Sequence, residues 1–159
     1  MDVVITPTTL RNDDVATSLF TPHESSRAKR HAATSQHQYV CDHIHFMNHR
    51  SKQVLLIDLT NCAAAEVEKI FRAVPEFVGT RSRGSVLILS DFTGASFDLE
   101  AVRIMKETAV FNKPYVKISA WTGTENFSQA FAESVRSFSR REFPVFETRK
   151  EALTWLVKN

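Results

Sequence analysis

The stretch from Ser85 to Ala120 constrains the fold most. An apolar run, Val86-Leu87-Ile88-Leu89, leads into the polar turn Asp91-Phe92-Thr93-Gly94-Ala95-Ser96. A helical pattern opens at Asp98, a residue suited to an N-cap, and stops at Asn112-Lys113-Pro114. Tyr115 to Ala120 then reads as a second strand. Strand, helix, strand is a βαβ unit, and its parallel strands require a crossover.

The pattern continues on both sides. His43 to Met47 and Gln53 to Leu59 read as a hairpin around a polar turn from Asn48 to Lys52. Val54-Leu55-Leu56-Ile57 is continuously apolar, as in a strand covered on both faces. Val67, Ile70, Phe71 and Val74 form one helical stripe, which Pro75 is expected to end or kink near Val74. Leu99, Val102, Met105, Ala109 and Val110 are read as the inner face of the next helix, and Phe127, Phe131 and Phe138 as a core stripe of the one after. Phe143 to Phe146 reads as a last strand, and Thr148-Arg149-Lys150-Glu151 matches a capping box opening a last helix. The order ββαβαβαβα predicts an α/β sandwich: a mostly parallel sheet with an N-terminal antiparallel strand and helices on both faces.

Residues 1–42 differ from the rest. They are rich in Thr, Ser, Asp and His, and their apolar residues lack sustained periodicity. Such a segment does not readily offset its ordering entropy, so it is expected to be a poorly ordered tail preceding a domain over residues 43–159. A chain of 159 residues accommodates one such domain. The net charge of +2 gives no reason to expect nucleic acid, and no apolar segment reaches the roughly 20 residues of a membrane span. Two cysteines without a staple pattern fit a reduced, cytoplasmic setting.

The chemistry-bearing residues are sparse. All 6 histidines precede Arg50, so a Ser-His-Asp or Cys-His arrangement needs His43, His45 or His49 to reach the strand ends. Cys62 reads as a small buried hydrophobe. Cys41, His43 and His45 alternate and would share a face on a strand, but no spaced fourth ligand accompanies them, so no metal is expected. No Gly-x-Gly-x-x-Gly or Walker pattern occurs, and no cofactor is expected. Ligands of open α/β sheets bind beyond the strand carboxyl ends. That places the candidate binding residues at Asp91, Thr93, Gly94 and Ser96 in one loop and Thr122, Gly123 and Thr124 in another. Asp91 reads as a turn former without a recognisable catalytic partner, and Arg136, Arg140, Arg141, Arg149 and Lys150 as solvated helix surface.

At several of these places the chain resembles the SpoIIAA-like proteins, bacterial domains related in fold to STAS domains and to the Sec14-type lipid-binding fold. The resemblance runs from about Ile44 to the C-terminus. It rests on Val54 to Asn61, on Asp91 to Asp98, on Asn112-Lys113-Pro114-Tyr115-Val116-Lys117, and on Arg141-Glu142-Phe143 with Glu151-Ala152-Leu153-Thr154-Trp155-Leu156. It implies a small α/β sandwich with a non-catalytic, regulatory or protein-interaction role. STAS antagonists of anti-sigma factors carry a phosphorylatable serine where the helix after the third strand begins. Here that helix begins Asp98-Leu99-Glu100-Ala101, and Thr93 and Ser96 lie outside the motif's position. The expected partner is another protein or a second copy of the chain. The alternative, a carrier of a small apolar or lipid-like ligand, follows from the Sec14-type relationship and the aromatic content.

Overall fold

The apolar runs become adjacent strands of one sheet, in the order in which they occur along the chain. The computed structural model describes residues 22–159, so residues 1–21 of the expected tail over 1–42 lie outside the described residues, and the rest of it falls on a helix. The elements are α1 (Pro22–His43), β1 (Ile44–His49), β2 (Lys52–Asp58), α2 (Ala64–Val78), β3 (Val86–Asp91), α3 (Leu99–Asn112), β4 (Val116–Thr122), α4 (Gln129–Ser139), β5 (Val145–Phe146) and α5 (Arg149–Lys158). The sheet order is β1-β2-β3-β4-β5. β1 is antiparallel to β2, and the remaining pairs are parallel. Successive side chains of a strand point to opposite faces. Leu55, Ile57, Val86 and Ile88 therefore meet α2, α3 and α4, while Val54, Leu56, Leu87 and Leu89 meet α5. The expected fold class is the observed one.

The chain divides into two compact units, Met1–Thr34 and Ser35–Asn159. The described part of the first is helical, and Thr34 Oγ1 donates to the Arg30 carbonyl at 2.9 Å. The second contains the sheet and begins earlier than residue 43. Tyr39 and Val40, on the last turns of α1, pack against the core, and Tyr39 Oη donates to Glu66 Oε1 at 2.8 Å. The apolar part of this anchoring is one Tyr-Val pair, too little apolar signal to stand out from the polar residues around it.

Other local expectations need correction. Cys41 and His43 belong to α1, so with His45 on β1 they share no strand face. α2 runs through Pro75 to Val78. Proline removes the N–H that would bond the carbonyl four residues back, and here Thr108 Oγ1 of α3 supplies a donor to that Phe71 carbonyl at 3.2 Å. α3 is turned from the expected phase. Ala101, Ile104, Met105, Thr108, Ala109 and Asn112 are buried, whereas Leu99 is 90% exposed. Asp98 caps the helix, accepting from Ala101 N at 2.8 Å, and Leu99 beside it is left facing outward. Phe127 and Phe131 pack against the core as expected, but Phe138 is 57% exposed. β5 is only Val145–Phe146 because Pro144 has no N–H to extend the ladder backward.

Candidate functional site

The parallel strands end in two loops of the same design. β2 ends Asp58-Leu59-Thr60-Asn61 and β3 ends Asp91-Phe92-Thr93-Gly94, with Asp58 and Asp91 opposite each other in the register. In the first loop, Asp58 Oδ1 accepts from Thr60 N at 3.1 Å and from Thr60 Oγ1 at 2.6 Å. In the second, Asp91 Oδ1 accepts from Thr93 N at 3.0 Å and from Thr93 Oγ1 at 2.7 Å. Aspartate two residues before threonine lets one carboxylate oxygen hold both the backbone and the hydroxyl of a turn. The other oxygen of each carboxylate faces Arg149 at the start of α5. Arg149 Nη2 lies 2.7 Å from Asp58 Oδ2, and Arg149 Nε donates to Asp91 Oδ2. Arg149 Nη2 also donates to Thr60 Oγ1 at 3.1 Å.

This network sets the charge state. Burial by itself raises the Asp58 carboxyl, but the Thr60 donors and the Arg149 guanidinium outweigh it and hold Asp58 below its ordinary value. Burial likewise disfavours the Arg149 cation, and the two carboxylates reverse that and hold it protonated more firmly than usual. Arg149 was expected on a solvated face; α5 instead brings it over the carboxyl ends of β2 and β3, where it joins two carboxylates that would otherwise repel.

The loops are stacked closely. Leu59 N bonds the Asp91 carbonyl at 2.8 Å, Asn61 N the Thr93 carbonyl at 2.8 Å, and Phe92 N the Thr122 carbonyl at 2.9 Å. Gly94 and Gly123 have φ of +68° and +69°. A Cβ on Gly123 would lie 2.3 Å from Thr93 N, and one on Gly94 would lie 2.2 Å from Asn61 Oδ1. Both glycines thus serve the left-handed backbone and the close approach of neighbouring loops. Beneath them Phe92, fully buried, touches the rings of Phe71, Phe97, Trp121 and Phe127 at 6.2, 5.8, 5.6 and 4.8 Å.

The structure therefore brings most of the expected site residues together, in unequal roles. Asp91, Thr122 and Gly123 are buried, Thr124 is half-buried, and Thr93, Gly94 and Ser96 are exposed. Thr93 is committed to the Asp91 turn, and beyond it Ser96, Asp98 and Leu99 are exposed while Phe97 turns inward onto the core. Asp58 as Asp91's counterpart, Thr60, Asn61 and Arg149 are the participants that sequence reasoning missed. The repeated Asp-x-Thr after each apolar run was the signal available for the first loop; nothing local marks Arg149.

A histidine does reach this end. His43 Nδ1 lies 2.6 Å from the Asp58 carbonyl and 3.9 Å from Cys62 Sγ. A carbonyl only accepts, so Nδ1 carries the proton and cannot take one from the thiol. Burial, with Glu66 and Asp58 nearby, pushes the Cys62 thiol up to about 11. Among the described residues no group of His, Cys, Asp and Glu is arranged to hold a metal ion. Further inside, a cavity of about 30 Å³ is lined by Ser90, Thr108, Asn112, Ser119 and Arg141 among apolar neighbours. That is room for about two water molecules. Burial lowers the Arg141 guanidinium to about 10, and it donates to the Ala109 carbonyl at 3.1 Å and to Ser119 Oγ at 2.5 Å.

A crystal structure from Shewanella loihica PV-4, described as an uncharacterized protein of the DUF3478 family with a SpoIIAA-like fold, is 17% identical to this chain. The match has a TM-score of 0.53 and covers 71% of this chain and 91% of that one. This chain has a SpoIIAA-like fold. No family model matches it, and no curated protein matches it. The SpoIIAA-like sheet thus carries here the Asp58–Arg149–Asp91 network at its strand ends.

Proposed function

We propose that this SpoIIAA-like chain is a non-enzymatic regulatory or protein-interaction domain that works without the usual phosphorylatable serine. One observation carries the reading. The carboxylates at the strand ends, where an α/β sheet would mount its chemistry, are already used to build the loops: Thr60, Thr93 and Arg149 occupy Asp58 and Asp91. What the loops offer outward is shape, with Gly94, Ser96 and the 90% exposed Leu99 facing out while Ala95 and Phe97 between them turn inward. A protein partner reads such a rigid, shallow surface, and an exposed leucine beside it supplies apolar contact. The alternative of an apolar ligand carrier has less support, because the internal cavity of about 30 Å³ is far below the several hundred Å³ that drug-sized ligands occupy. A cytoplasmic setting accords with the free thiols of Cys41 and Cys62.

The test is site-specific photocrosslinking in a native cell extract, with a benzophenone side chain replacing Leu99 or, as a control at the other end of β3, Arg83. A discrete protein adduct from position 99 that Ser96→Glu abolishes, with none from position 83, is the expected result. Identical adduct patterns from both positions refute the surface. Turnover of ester, phosphate or peptide substrates that disappears in Cys62→Ala or Asp91→Asn refutes the non-enzymatic reading.

A further inference from the structure

The two edges of the sheet are built differently. At one, β5 has only two residues and follows Pro144, and brevity and proline both guard an edge against pairing. At the other, β1 runs six residues, Ile44–His49, in unbroken register with β2. Its sequence, Ile-His-Phe-Met-Asn-His, holds no proline, lysine, arginine or carboxylate. Edge strands are normally protected by such residues, by bulges or by brevity, and β1 has none of these.

The direction of its backbone groups follows from β2. Leu59 N donates to the Asp91 carbonyl of β3 at 2.8 Å, while the Asp58 carbonyl accepts from His43 Nδ1 on the other side at 2.6 Å. Successive residues of a strand turn their N–H and C=O to opposite sides, so Asp58, Leu56 and Val54 face β1. Leu56 lies opposite His45, and Val54 opposite Met47. His45 and Met47 therefore exchange bonds with β2, and Phe46 and Asn48 turn theirs to the free side. Among the described residues no strand lies beyond β1, and no backbone group takes those of Phe46 and Asn48. Asn48 is exposed. Phe46 is half-buried under Arg81, whose guanidinium lies 3.9 Å from the ring centre and donates to Gln53 of β2 at 3.4 Å, so this cover is drawn toward β2 and not across the edge.

Reversed, the strand is complementary to itself. With two copies antiparallel and centred on Phe46, the two Phe46 residues exchange both backbone bonds, Asn48 N–H meets the Ile44 carbonyl of the other copy, and His45 lies beside Met47. Charge decides the direction. Asp42 stands two residues before the strand and Arg50 one residue after it. Both are exposed, and neither forms an ion pair among the described residues. Reversed strands bring Asp42 of each copy beside Arg50 of the other. Strands running the same way would set Asp42 against Asp42 and Arg50 against Arg50. The net charge of +2 leaves little general repulsion between copies.

We propose that the β1 edge pairs with the β1 edge of a second copy of this chain, antiparallel about Phe46, joining two five-stranded sheets into one. The same patch serves both copies, so the contact closes on itself and stops at two. Ser96 and Leu99 belong to other elements, and this surface does not depend on the strand-end loops.

The experiment follows the mass of the full chain by sedimentation from about 1 to 300 µM, with amide exchange at the same concentrations. A reversible dimer, twice the 18.1 kDa of one chain, is expected with a Kd below about 100 µM. Exchange at the Phe46 and Asn48 amides should slow as concentration rises. Asn48→Pro removes an outward N–H while leaving the bonds to β2, and should weaken the dimer at least about tenfold. Asp42→Lys and Arg50→Asp should each weaken it, and the two together should recover most of the loss. Ser96→Glu should leave it unchanged, which separates this edge from the loop surface. A monomer throughout the range, equal dimerisation by a folded Asn48→Pro chain, or no recovery in the paired charge exchange overturns the proposal. Protection of the two amides that is independent of concentration assigns the edge to a segment of the same chain and also overturns it, as does growth into assemblies larger than a dimer.

Discussion

Replacing Arg149 with Ala is the most direct probe of the strand-end network. It leaves Asp58 and Asp91 facing each other, with side chains 27% and 6% exposed, and removes the cation that joins them. Breaking a buried ion pair costs about 3–5 kcal/mol because a charge is left uncompensated. Arg149 is itself 39% exposed, so solvent screens part of its contribution. The discounted loss is about 2–3 kcal/mol, near 10 °C in melting temperature for a domain of this size. The pH dependence gives the sharper check. In the wild type the folded-state value of Asp58 lies below its unfolded one, so its contribution is present above the unfolded carboxylate range and fades as pH falls through the folded value. In Arg149→Ala the two carboxylates repel without a cation between them, and protonation at Asp58 then relieves the variant. Urea denaturation at pH 7 and pH 4 should therefore show the variant's deficit shrinking at the lower pH. A deficit that is the same at both pH values, or below about 0.5 kcal/mol at neutral pH, refutes the electrostatic account.

Further expectations follow from single contacts. Thr108→Val removes the donor to the Phe71 carbonyl and should cost about 1–2 kcal/mol, while Pro75→Ala in that background should recover part of it by restoring a helical N–H; a double-mutant cycle by chemical denaturation measures the coupling. Gly123→Ala should be the more damaging glycine substitution, since its Cβ meets the backbone of Thr93, whereas Gly94→Ala meets the Asn61 side chain and should be partly relieved by Asn61→Gly; thermal melts rank the variants. Arg50 and Ser51 form the β1–β2 turn at φ of 46° and 66°, so Ser51→Gly should raise stability by about 0.5–1 kcal/mol, and an unchanged or lowered melting temperature contradicts the turn assignment.

The sheet and its helices were legible because continuous apolar runs and three- and four-residue spacings report burial directly. The loops at Gly94 and Gly123 were legible for a similar reason, as a glycine between a strand and a helix has few other uses. What escaped is what depends on partners far away in the chain. Pro75 reads as a helix terminator until Thr108 supplies the missing donor from another helix. The phase of α3 was misjudged because Leu99 and Val110 outweigh Ala101 and Thr108 in hydrophobicity, yet the Asp98 cap and the α2 contact decide which side faces in. Arg149 looks like any surface arginine beside Lys150. Only the docking of α5 across the face formed by Leu56, Leu87 and Leu89 places it between Asp58 and Asp91.

The delivery of Arg149 by α5, the last element of the fold, has a consequence for how the molecule assembles. Synthesis produces β2 and β3, with Asp58 and Asp91, well before the guanidinium that reconciles them. Until α5 docks, the nascent sheet holds two neighbouring carboxylates whose repulsion opposes the register that pairs them. Closing the strand ends is thus a late event of long sequence separation, and such contacts slow folding. A helper that binds the emerging chain would find the strand ends unfinished and the leucine-rich face beneath α5 uncovered until that moment.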